Sequence, residues 1–80
     1  MMSIKQYNRA RDAMLMQRDP DVLIKFMRQH RLPAPSSRAA AEVTLHKTIT
    51  AAVKLPLEVR KASKAWLTEH GLHSLDDGEL

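Results

Sequence analysis

The chain reads as an all-α protein, a compact bundle of four short helices followed by a short acidic C-terminal tail. Three observations predict this. Apolar residues recur at three- and four-residue spacing along most of the chain. Prolines at positions 20, 33, 35 and 56 cut that pattern into helix-sized segments. Five methionines and only two glycines favour helix over sheet. The expected helices cover residues 3–18, 20–31, 37–55 and 56–70, within a single domain of residues 1–72 and a tail of residues 73–80.

The first helix opens at Ser3, with Gln6 three residues on as the other half of a capping box. Ile4, Tyr7, Ala10, Met14 and Leu15 then share one face, with Lys5, Asn8, Arg9 and Asp12 on the other. Asp19 before Pro20 is the N-cap and first residue of the second helix, because the missing proline N–H costs nothing in a first turn. Its apolar side, Val22, Leu23, Ile24, Phe26 and Met27, is broad enough to be buried in more than one direction. Leu32-Pro-Ala-Pro-Ser-Ser37 ends it, since each proline moves the residue before it away from α geometry.

Ser36 or Ser37 caps the third helix. There Ala41, Leu45, Thr48, Ile49, Ala52 and Leu55 are the expected core face, and Val43, Lys47, Thr50 and Lys54 the wet one. Pro56 starts the fourth helix, with Val59, Ala62, Trp66, Leu67 and His70 inward and Arg60, Lys61, Lys64 and Thr68 outward. On this reading Trp66 is a core residue. Gly71 takes the left-handed position that closes the helix, with Leu72 supplying the accompanying apolar contact.

Eighty residues bury only about 60–65% of the surface that the unfolded chain exposes, so self-association or a partner is a natural supplement to the core. With no cysteine there are no disulfides, thiolate nucleophiles or sulfur-ligated zinc, and a reducing, cytoplasmic setting is expected. Gln6, Asn8, Arg9, Arg11 and Asp12 break up the start of the chain. No run reaches the roughly 18 apolar residues of a membrane span. The net charge of +4 is uneven: residues 69–80 hold four carboxylates and no cation, leaving a basic body and an acidic end.

Thr48 to Leu55, with β-branched Ile49, Thr50 and Val53, and the Leu-Pro-Leu-Glu-Val-Arg that ends at Arg60 together resemble the start of a ribbon-helix-helix repressor. That family requires a second full helix after Gly71, whereas nine residues remain, among them Asp76, Asp77 and Gly78. The alanines and the 3.6-residue spacing upstream favour helix instead.

No nucleophile–base pair, carboxylate pair or glycine-rich phosphate loop occurs at the spacing catalysis needs, and no cofactor is implied. Asp19 and Asp21 sit at a helix start, where the macrodipole accounts for them. Glu69, His70, His73 and Asp76 are metal-ligand types, but His70 and His73 straddle Gly71 and share no regular face, so no metal site is assigned. His30 and His46 read as partly buried, hydrogen-bonded structural histidines.

Leu32 to Lys47 has the outline of a turn and recognition helix, with Ser36, Ser37 and Arg38 at the helix start. Its two-proline connection is long for that motif, and Arg38 is expected near the core edge. A stronger candidate surface joins Lys47 and Lys54 of the third helix to Arg60, Lys61 and Lys64 of the fourth. Ile24 and Val43 are the apolar residues expected to remain for intermolecular contact. The expected function is therefore a non-enzymatic binding module of the adaptor or inhibitor type. It would recognise a protein, with self-association as an accompanying expectation. The alternative is a small basic DNA-binding regulator using the third and fourth helices.

Overall fold

A computed structural model describes residues 3–72, and within them the chain forms four α-helices and no strand. These are α1 (Ile4–Met16), α2 (Pro20–Gln29), α3 (Arg38–Ala51) and α4 (Leu57–Glu69). The tail expected at residues 73–80 lies outside the described residues. No helix among the described residues is long and apolar enough to cross a membrane.

Three of the four helix starts are capped by side chains, while α4 begins after Pro56 with no side-chain cap hydrogen bond. The Ser3 hydroxyl accepts from the Gln6 N–H at 3.1 Å, and the Gln6 side-chain oxygen accepts from the Ser3 N–H at 3.0 Å, completing the capping box. The Asp19 carboxylate accepts from the Asp21 N–H at 2.9 Å with Pro20 in the first turn. Ser37 caps α3 by accepting from the Ala40 N–H at 3.1 Å.

The ends are equally specific. Gly71 lies at φ +69°, and the Gly71 and Leu72 N–H groups donate to the Thr68 and Leu67 carbonyls, the Schellman pattern expected there. The same pattern closes α2, where Arg31 and Leu32 donate to Arg28 and Met27, but its left-handed residue is Arg31 at φ 57°. Arg18 ends α1 at φ 53°. Two of the three left-handed closures are thus made by arginine, which no sequence rule marks.

The core runs from Met14 and Leu15 of α1 through Leu23 and Phe26 of α2 to Ala41, Leu45 and Ile49 of α3, then Ala52, Leu55 and Val59. α3 is the hub: α1 and α2 pack on one side of it, and α4 packs on α3. This arrangement corrects several expectations. Thr50, expected on the wet face, is buried at 1% exposure. Its hydroxyl donates to the Lys47 carbonyl at 2.7 Å, which satisfies the buried group. Ile4, expected inward, is 80% exposed. Tyr7, one turn further on, packs against Phe26 and against His30, the residue that caps the end of α2.

α3 also stops earlier than residue 55. Ala52 leaves helical geometry at ψ 84°, the Leu55 N–H donates back to the Ala52 carbonyl at 3.0 Å, and Pro56 disfavours α geometry at Leu55. Leu55 is buried at 5% exposure and pins this turn to the core. Lys54 therefore sits in a turn rather than on a helix. On α4 the buried stripe is Val59, Ser63 and Leu67, while Ala62 is exposed and Trp66 only half-buried.

Candidate interaction surface

Trp66 is sandwiched between two imidazoles. His46 of α3 covers one face, with centroids 4.3 Å apart and planes 20° from parallel. His70, one turn along α4, stacks on it at 4.0 Å and 21°. The His70 Nδ1 lies 2.7 Å from the Trp66 carbonyl oxygen, an acceptor, so this nitrogen carries the proton and donates. The His46 Nδ1 is 2.9 Å from the hydroxyl of buried Ser63. Burial lowers the pKa of His46 from its usual 6.5. Glu42 opposes that shift, while Arg18 and His70 add to it.

At the other end of α4, the Arg60 Nε donates to the Leu55 carbonyl at 3.1 Å. Arg60, expected among the outward cations, is half-buried and braces the α3–α4 turn. Arg60 thus ties the start of α4 to the turn before it, and the His46–Trp66 stack ties its later part to α3.

The other four expected cations divide. Lys61 and Lys64 line one shallow cleft on the outer face of α4 with Ala65, Thr68 and Glu69. Lys54 lines a separate groove of about 190 Å³ with Asn8, Arg11, Thr48 and Val53. Lys47 is half-buried on α3. Ile24 and Val43 are both half-buried, and Ile24 packs against the core. Arg38 points outward and pairs with Asp21, contrary to its expected place at the core edge.

All thirteen Lys and Arg residues are described, against six of the nine carboxylates, because Asp76, Asp77 and Glu79 lie beyond residue 72. Among the described residues only Arg11 and Arg38 form ion pairs, with Asp12 and Asp21. No group of three His, Asp or Glu side chains among them could hold a metal ion. His73 and Asp76, two of the four ligand types noted in the sequence, lie outside the described residues. Tyr7, Phe26 and His30 form a second aromatic cluster between α1 and α2.

Comparison with protein-family models, with curated proteins and with solved structures finds no match to this chain.

Proposed function

We propose that this chain is a non-enzymatic helical binding module whose basic surface takes nucleic acid. The observation that carries this reading is the charge map: among the described residues thirteen cations stand against six carboxylates, and only two of the cations are paired with one. Cations without partners gain most from a polyanion, since each phosphate they neutralise releases condensed counterions. Apolar docking through Ile24 is less favoured, because that side chain already packs on the core.

The test is fluorescence anisotropy with a labelled duplex as salt is raised. Affinity is expected to fall steeply, with a log–log slope of about 0.9 per phosphate contact. Absence of duplex binding at low salt refutes the nucleic-acid reading.

A second reading, a protein-binding adaptor, has one observation in its favour. Val53 is 75% exposed in the groove beside Asn8, Arg11 and Lys54, and exposed Ile4 lies one helical turn from Asn8 on the same face of α1. An exposed apolar side chain in a groove ringed by polar groups suits a small protein contact. Under this reading Val53→Asp removes partner binding and leaves the fold intact.

A further inference from the structure

We propose that α3, the turn after it and α4 act as a helix–turn–helix unit, with the outer face of α4 seated in the major groove of duplex DNA. The inference rests on the nucleic-acid reading above and adds to it the element that enters the groove.

Three features support it. The connection is short: between the C-cap Ala52 and the N-cap Pro56 stand only Val53, Lys54 and Leu55, the turn length of such units. The helix is open on one side, since its packing partner is α3 and its buried residues form the narrow stripe Val59, Ser63, Leu67. A bare helix of about 10–12 Å diameter matches a major groove about 12 Å wide. The outer face carries exposed Lys61 and half-buried Lys64, neither with a carboxylate partner among the described residues; Ala62 and Ala65 permit close approach, Thr68 offers a hydroxyl, and Glu69 at the end of the helix is the one carboxylate in this cleft.

Charge complementarity therefore selects the occupant. Lys61 and Lys64 lie on the groove-facing side, and exposed Lys54 in the turn is placed for a flanking phosphate. Duplex is favoured over single strand, because the one tryptophan is covered on both faces by His46 and His70, and Tyr7 and Phe26 pack between α1 and α2. No free aromatic platform remains among them for unstacked bases. Arg60 anchors α4 to the turn and the His46–Trp66 stack anchors it to α3, contacts that support a rigid presentation of its outer face.

The experiment compares three variants of the full chain by anisotropy with one short labelled duplex, each first checked by circular dichroism and melting. Lys61→Gln/Lys64→Gln is expected to weaken binding at least about tenfold and to reduce the salt slope by about two. Lys25→Gln/Arg28→Gln removes the same charge from the exposed side of α2 and is expected to change affinity much less. Ala65→Trp adds bulk without charge and is expected to weaken binding about tenfold, because phosphate contact alone would tolerate it. Equal losses in the two double variants, or an Ala65→Trp variant that binds normally, overturns groove entry and leaves the nucleic-acid reading standing. No duplex binding by the unaltered chain at low salt overturns both.

Discussion

The imidazole of His46 lies face to face with the indole of Trp66 across the α3–α4 interface, its Nδ1 held 2.9 Å from the buried Ser63 hydroxyl. Because burial lowers the pKa of His46 below 6.5, the folded state binds its proton less readily than the unfolded chain does. The stabilisation from neutral His46 is complete above pH 6.5 and is lost as pH falls through 6.5 towards the lowered folded value. Melting temperature is expected to drop over this window more in the native chain than in His46→Phe, which keeps a stacking ring but does not titrate. Equal pH dependence in the two proteins contradicts the assignment.

Trp66 itself is half-buried, so Trp66→Ala is expected to cost about 1–3 kcal/mol, below the roughly 3–5 kcal/mol of a fully buried aromatic. Urea unfolding measures it. Trp66→Phe retains a stacking face and should recover part of the loss.

Leu45, at 1% exposure on the inner face of α3, is among the most deeply buried side chains. Leu45→Ala is expected to cost about 2–5 kcal/mol, enough to leave so small a domain partly unfolded at room temperature. Circular dichroism across a denaturant series gives the value.

Arg31 closes α2 at φ 57°, a conformation in which a Cβ is strained and which glycine adopts freely. Arg31→Gly is expected to lie between neutral and about 1 kcal/mol stabilising, the relief of strain being offset by the greater freedom of glycine in the unfolded chain. A glycine variant that melts several degrees lower would show that the arginine side chain makes a compensating contact.

Asp76, Asp77 and Glu79 oppose the charge of the basic body. Removing residues 73–80 takes away three carboxylates and is therefore expected to strengthen duplex binding at low salt, an effect that shrinks as salt screens it. Anisotropy on the truncated and full chains at two salt concentrations reads this directly.

Where α1, α2 and α3 begin was legible in the sequence, because capping is settled within four residues. Ser3 with Gln6, Asp19 with Pro20, and Ser37 all carry the hydrogen bonds or turn geometry that their residue types imply. The same holds for Gly71, and for the outward placement of Lys61 on α4. Which face a helix buries was a tertiary matter, since it depends on how many neighbours the helix has and where they end. α3 packs against α4 as well as against α1 and α2, and Thr50 is buried; Tyr7 meets Phe26 and His30, whereas Ile4 one turn before it is exposed. The stop of α3 at Ala51 needed Leu55 drawn into the core, and the Arg60 brace followed from that turn. The pairing of His46 with Trp66 joins residues on different helices, a contact made only when α4 packs back on α3.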